Sequence, residues 1–109
     1  STRQQKVGRQ IQKDLGEIIQ RNPALTAGAL VTITRVNVTP DLSIARVNLS
    51  IFGGAGKDAV LNLMKEHKGE LRYELGQRIR NQVRIIPELP FFIDDTLDRL
   101  ERIDELLKH

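Results

Sequence analysis

The sequence predicts an α+β domain in which helices cover a three-stranded sheet. Four segments carry apolar residues at helical spacing, and three others have the β-branched or alternating apolar residues typical of strands. Their order is α-β-β-α-α-β, followed by a C-terminal helix. Such elements pack compactly as one sheet with helices on one face, and 109 residues accommodate one core. Residues 1–109 are therefore predicted to form a single domain.

The first helix is predicted over residues 3–20. Its apolar residues recur at helical spacing and form one stripe: Val7, Ile11, Leu15, Ile18 and Ile19. Pro23 ends the helix, because the residue before a proline is driven out of the helical region. The connection through Gly28 is predicted to be a loop.

Residues 30–38 and 43–52 are predicted to form a β-hairpin, joined by turn-forming residues at 40–42. In the first strand the apolar alternation changes phase between Ile33 and Val36, which predicts a β-bulge. In the second strand the alternation is regular and predicts one buried face. That face consists of Ala45, Val47, Leu49 and Ile51.

The second half of the chain is predicted to contain two helices, a strand and a last helix. The two helices cover about residues 57–67 and 70–82 and follow a glycine-rich turn at 53–56. A strand is predicted over 83–93, at an edge or bend of the sheet, because its two prolines cannot donate to a ladder. The last helix, 96–108, follows residues that favour helix caps.

Composition excludes several classes of protein. The chain has no cysteine, which excludes disulfides and thiolate metal sites and fits a cytoplasmic protein. No apolar run is long enough to span a bilayer, and the first residues do not resemble a signal peptide, so we expect no membrane partner. No nucleophile elbow, P-loop or dinucleotide fingerprint is present. We therefore expect a soluble, non-enzymatic protein without a cofactor, a metal or catalytic residues.

Basic residues form two clusters on a chain of net charge +3. On the first helix, Lys6, Arg9 and Lys13 share a face opposite the apolar stripe. The second cluster lies at the turn between the two central helices and along the helix that follows. Its candidate residues are Lys65, Lys68, Gly69, Arg72, Gly76, Arg80 and Arg84. Together with the three basic residues of the first helix they make ten candidate residues for binding a polyanion such as RNA. Arginine suits phosphate through its fixed fork of donors.

Both clusters also have an ordinary structural interpretation. A charged stripe on a helix is often only a solvated face, and a glycine inside a helix, such as Gly76, usually has a packing reason. Arg78 is expected to pair with Glu74, one turn earlier on the same helix. Phe52, Phe91 and Phe92 lie in strand-like apolar runs and are predicted to belong to the core.

Three sequence blocks are distinctive: Thr39-Pro40-Asp41-Leu42-Ser43-x-Ala45-Arg46-Val47, Gly69-x-Leu71-Arg72-x-x-Leu75-Gly76 and Ile86-Pro87-Glu88-Leu89-x-Phe91-x-x-Asp94. In this order they resemble the ribosome-binding factor A family. The resemblance implies a type II KH-like fold that binds the free or immature 30S small ribosomal subunit and its 16S rRNA. It also implies a role in late subunit assembly, rRNA processing and cold adaptation. Implied further partners are other assembly factors, such as a maturation GTPase.

The KH signature itself departs from its usual form. KH domains clamp nucleic acid with a G-x-x-G loop between the two central helices. Here Gly53–Gly56 matches that spacing but precedes both helices, so we interpret it as a strand-to-helix turn. In ribosome-binding factor A proteins an Ala-x-Gly turn replaces the loop, and this chain has His67-Lys68-Gly69 there. The retained glycine is expected to permit a sharp turn.

Two alternative functions stay open on the sequence. One is a general KH-like single-stranded RNA binder unconnected with ribosomes. The other is a protein-binding adaptor that uses the exposed side of the last helix. RNA binding predicts a steep loss of affinity with salt, whereas adaptor binding predicts persistence at moderate salt. In each case the protein is expected to be a monomer.

Overall fold

The computed structural model describes residues 2–94, and the predicted last helix at 96–108 lies outside the described residues. The predicted order of elements is confirmed over the described part of the chain. The elements are α1 (Thr2–Gln20), α2 (Pro23–Thr26), β1 (Leu30–Val38), β2 (Ala45–Phe52), α3 (Lys57–Glu66), α4 (Lys68–Ile79) and β3 (Phe91–Ile93). The connection predicted to be a loop contains the short helix α2, with Pro23 in its first turn.

The three strands form one mixed sheet in the order β1-β2-β3. β1 and β2 are antiparallel, and β3 runs parallel to β2. The predicted bulge in β1 is confirmed: Ile33 pairs with Leu49 and Arg35 pairs with Asn48, so Thr34 is the extra residue. All four apolar residues predicted to face inward from β2 are buried, which confirms that face as the floor of the core.

Helix α1 packs directly along β1. Gln4 Nε2 donates to the Val38 carbonyl at 2.9 Å, and Gln12 Nε2 donates to the Ile33 carbonyl at 2.9 Å. Between these bonds, a Cβ built on Gly8 would lie 3.0 Å from the Val36 carbonyl oxygen, so glycine permits the close approach. The predicted apolar stripe of α1 is buried against the sheet.

The third strand is much shorter than predicted. Only Phe91–Ile93 pairs as a strand, and residues 83–90 follow an irregular path along β2. Backbone bonds still fasten this path: Ala45 N donates to Glu88 O at 2.8 Å, and Val47 N donates to Pro90 O at 2.9 Å. The prolines explain the difference, because a residue without an N–H cannot maintain a ladder. The predicted position at the edge of the sheet is confirmed.

Two of the three phenylalanines predicted for the core are exposed. Phe91 is buried, but Phe52 and Phe92 are 49% and 45% exposed. Successive side chains of a strand point to opposite faces of the sheet. Phe52 follows the buried Ile51 on β2, and Phe92 follows the buried Phe91 on β3, so both point away from the core. The core prediction is therefore wrong for Phe52 and Phe92.

Helices α1 and α4 are joined by an ion pair that the sequence did not predict. Arg78 Nη1 lies 2.5 Å from Glu17 Oε2 and 3.3 Å from Asp14 Oδ1, and Asp14 is almost completely buried. The hydrogen bond that Arg78 donates to Glu17, with a further one to Asp14, raises the pKa of Arg78. The predicted partner, Glu74, is thus not the one observed. This ion pair links α4 to α1 and engages Arg78 within the protein.

None of the helices within residues 2–94 has the combination of length and apolar character needed to cross a membrane.

Candidate nucleic-acid interface

A groove of about 460 Å³ runs along the exposed flank of α4 and the segment after it. Its lining contains five of the residues predicted to bind RNA: Gly69, Arg72, Gly76, Arg80 and Arg84. The other lining residues are Tyr73, Gln77, Val83 and Ile86. The structure therefore brings half of the predicted site together in one concave surface, although those residues span sixteen positions of the sequence.

The floor of the groove is apolar and owes its depth to Gly76. A Cβ built on Gly76 would lie 3.2 Å from Ile86 Cγ1 and 3.4 Å from Ile86 Cδ1. Glycine therefore lets the segment after α4 pack close to the helix, with Val83 buried beneath it. The packing interpretation of Gly76 is confirmed, and the same packing shapes the groove.

The rim of the groove carries two accessible arginines. Arg80 is the residue that ends α4, Arg84 lies four residues later, and both are exposed. Within residues 2–94 neither guanidinium makes an ion pair. A guanidinium without an acidic neighbour can present its paired donors to phosphate oxygens.

Arg72 has a different position from these two. Its Nε donates to Pro87 O at 3.0 Å and its Nη2 donates to Ile86 O at 2.6 Å. Nη2 also lies 3.5 Å from Glu88 Oε1. These bonds hold the segment after α4 against the helix and so build one wall of the groove. Sequence reasoning placed Arg72 at the site but did not identify these bonds, because its partners are backbone carbonyls.

Replacing Arg72 by alanine is expected to destabilise the protein by about 1–3 kcal/mol, because two partly buried carbonyls lose a charged donor. Arg72→Lys is expected to restore little, since an ammonium group lacks the planar fork that reaches both oxygens. Urea unfolding measures the change. Glu88→Gln is the matched control: it removes only an exposed ion pair and should cost less than about 1 kcal/mol. Equal stabilities of Arg72→Ala and Glu88→Gln would contradict this role.

Tyr73 adds an aromatic ring to the groove. Its side chain is 70% exposed, and it is the one aromatic residue in the lining. Because every nucleobase has a flat face, an exposed ring beside an apolar floor can accept an unstacked base, worth about 1–3 kcal/mol per base. The structure therefore places Tyr73 where stacking on a base is geometrically feasible.

The other predicted residues lie outside the groove. Lys6, Arg9 and Lys13 are exposed on α1, on the side away from its buried stripe. Lys65 and Lys68 flank the junction of α3 and α4, where Lys65 is exposed and Lys68 is half-buried.

Gly69 does not make the sharp turn between α3 and α4. It lies in the first turn of α4, it is absent from the residues with positive φ, and a Cβ on it would meet no atom within 4 Å. His67 alone joins the helices, with φ −98° and ψ 14°, angles that any residue can adopt. The chain therefore turns at His67, and the conformational freedom of Gly69 is not used there.

Comparison with known proteins agrees with this architecture. Residues 3–107 match the family model for ribosome-binding factor A. Ribosome-binding factor A of Cytophaga hutchinsonii is 44% identical over 108 residues, which cover 98% of this chain and 81% of that protein. The Chlorobaculum parvum protein of the same name is 40% identical over 109 residues, which cover 99% of this chain and 90% of that protein.

Solved structures share the fold. The crystal structure of ribosome-binding factor A from Thermus thermophilus has a TM-score of 0.70 at 25% identity, covering 83% of this chain and 94% of that one. A homology model of the Thermus protein, fitted into a cryo-EM map of a 30S complex of that protein, has a TM-score of 0.67 at 24% identity, covering 80% and 90%. The α+β, KH-like fold class is thereby confirmed.

Proposed function

This chain belongs to the ribosome-binding factor A family, and from that premise we propose that it binds the free or immature 30S subunit and contacts 16S rRNA through the α4 groove. The observation that carries the proposal is the groove itself, where Arg80 and Arg84 flank an apolar floor and make no ion pair with any residue between 2 and 94. The Thermus relative, whose homology model was fitted into a map of its 30S complex, supports the choice of partner.

The groove offers two kinds of contact to RNA. Arg80 and Arg84 can bind phosphates, which gives affinity without reading sequence. Tyr73 and the floor around Ile86 can hold a base that has left its stack. Such a site prefers RNA whose bases are splayed from the helix, as in loops, junctions and strand ends. Immature rRNA offers this state wherever a helix has not yet formed.

In this proposal the protein acts by binding and not by catalysis. A ligand that binds one RNA conformation better than another shifts the population toward the first by its differential affinity. Holding one segment in its unpaired form would assist late assembly and expose or protect sites of rRNA processing. The proposal includes a cytoplasmic monomer that acts beside other assembly factors, such as a maturation GTPase.

Co-sedimentation with purified ribosomal particles tests the proposal. We expect selective pelleting with free 30S subunits, and less with 50S subunits and joined ribosomes. If about three phosphates are contacted, affinity should fall on the order of 20-fold between 50 and 200 mM salt.

Other results would favour the alternatives. Binding to short RNAs without pelleting on any particle would indicate a general single-stranded RNA binder. Pelleting that persists unchanged across the salt series would indicate a protein-binding adaptor.

A further inference from the structure

A second depression of about 280 Å³ lies beside the α4 groove. It is bounded by the start of α1, by the β1–β2 turn and by the segment that follows α4. Arg3, Pro40, Leu42, Arg84 and Ile85 are among its lining residues. Arg84 also lines the groove, so its side chain stands between the two depressions.

The second depression, like the groove, combines apolar and basic residues, and it differs in also containing the Asp41 carboxylate. Ile85 is 73% exposed, and together with Pro40 and Leu42 it forms the apolar part of the surface. Arg3 and Arg84 supply positive charge there, as Arg80 and Arg84 do in the groove. An apolar patch flanked by guanidinium groups suits a base or sugar on the patch and phosphates on the arginines.

The β1–β2 turn gives the second depression a firm wall. Asp41 Oδ1 accepts bonds from the Thr39 hydroxyl at 2.8 Å, the Ser43 hydroxyl at 2.8 Å and the Ser43 N–H at 3.1 Å. These bonds lower the pKa of Asp41, first through Thr39 and then through Ser43. The carboxylate therefore stays charged and disfavours a phosphate on that wall. The arginine side is left as the position for the phosphates.

From this arrangement we infer that single-stranded RNA runs from the α4 groove across Arg84 into the second depression, with Ile85 contacting a base and Arg3 a phosphate. The path would then approach the basic face of α1, because Lys6 lies one helical turn after Arg3. A duplex fits poorly, since its bases are stacked on each other and cannot reach either apolar floor. The inference rests on the proposed function and extends it to a longer site.

The length dependence of RNA binding tests the inference. A KH-type groove holds about four nucleotides, and an eight-nucleotide strand gains about fivefold for such a site merely by offering more registers. If the second depression also contacts the RNA, the eight-nucleotide strand should bind about 50-fold more tightly than the four-nucleotide strand, because an added base contact contributes to the affinity. Fluorescence anisotropy with labelled single-stranded RNAs measures both affinities.

The variant Arg3→Gln/Ile85→Ser removes one of the two cations of the second depression and its most exposed apolar side chain. Its affinity for the four-nucleotide strand should equal that of the parent protein. Its affinity for the eight-nucleotide strand should be only about fivefold higher than for the four-nucleotide strand. Its salt slope on the longer strand should fall by about 0.7, the value of one phosphate contact. Arg21→Gln/Leu30→Ser is the matched control, because both residues are exposed at distant positions, and it should behave like the parent.

The outcomes separate this inference from the proposed function. A gain of only about fivefold in the parent, or a full gain in the Arg3→Gln/Ile85→Ser variant, would overturn the longer site while leaving groove binding intact. Equal binding of an eight-base-pair duplex would overturn the single-strand assignment. Failure of both RNA lengths to bind would count against the proposed function itself.

Discussion

The double substitution Arg80→Glu/Arg84→Glu is expected to weaken binding to 30S subunits by a factor of about 100 or more at moderate salt. In the proposed binding mode each substitution removes one arginine–phosphate contact, and each glutamate adds repulsion of a phosphate at the same place. Arg84 should contribute more than Arg80, because Arg84 lines both depressions. Co-sedimentation of the single and double variants at fixed salt measures the effect.

The control for this experiment must change the net charge equally. Arg21→Glu/Arg46→Glu does so at two exposed residues that do not line the groove. We expect the affinity of this variant for 30S subunits to fall by less than about tenfold, because only long-range electrostatic attraction is reduced. Both double variants should unfold near the parent's urea midpoint, because all four side chains are exposed. Equal losses of binding in the two variants would show that net charge, and not the groove, governs association.

The substitution Gly54→Ala is expected to destabilise the protein by about 2–5 kcal/mol. Gly54 has φ +61°, where a Cβ costs about 1–2 kcal/mol. That Cβ would also lie 2.5 Å from Ala29 N and 2.7 Å from Ala27 O. Because these atoms belong to the backbone before β1, that connection must shift, at about 1–3 kcal/mol more. Thermal unfolding should show a decrease in Tm of at least about 10 °C.

The neighbouring glycine provides a control with the same backbone strain. Gly53 has φ +74°, but a Cβ on it would meet no atom within 4 Å. Gly53→Ala should therefore lower the free energy of unfolding by only about 1–2 kcal/mol, the cost of a Cβ at positive φ. If Gly53→Ala and Gly54→Ala were equally stable, the close approach between the two loops would not be the reason for glycine at 54.

Local patterns were sufficient to predict most of the fold. The helical stripe of α1 and the alternation of β2 depend on residues a few positions apart, and both are confirmed. The bulge in β1 was predictable for the same reason, because a change of phase is visible within one strand. The short length of β3 was not predicted. Before it, near the two prolines, isolated backbone hydrogen bonds from β2 take the place of a regular strand pairing.

Half of the predicted site residues meet in the groove, but the role of each residue could not be predicted from the sequence. Nothing in the sequence indicates that Arg72 donates to carbonyls fourteen and fifteen positions away, or that Arg78 crosses to a helix more than sixty positions earlier. Both belong to the same helical segment as Arg80, and the spacing of residues along a helix does not distinguish their roles. Their roles depend on which neighbours tertiary packing brings to them. The second depression escaped prediction because three distant segments form it.

The contacts between α1 and β1 also bear on how the protein behaves at high concentration. An open sheet offers unpaired backbone groups on its outermost strands, and these can recruit a strand from another molecule. Here Gln4 and Gln12 occupy carbonyl oxygens of β1, and helix α1 lies along that strand. On the opposite side, β3 is three residues long and follows proline residues. Neither border is a good template for self-association into fibrils, so a small domain with an exposed sheet face can remain dispersed while it searches for its partner.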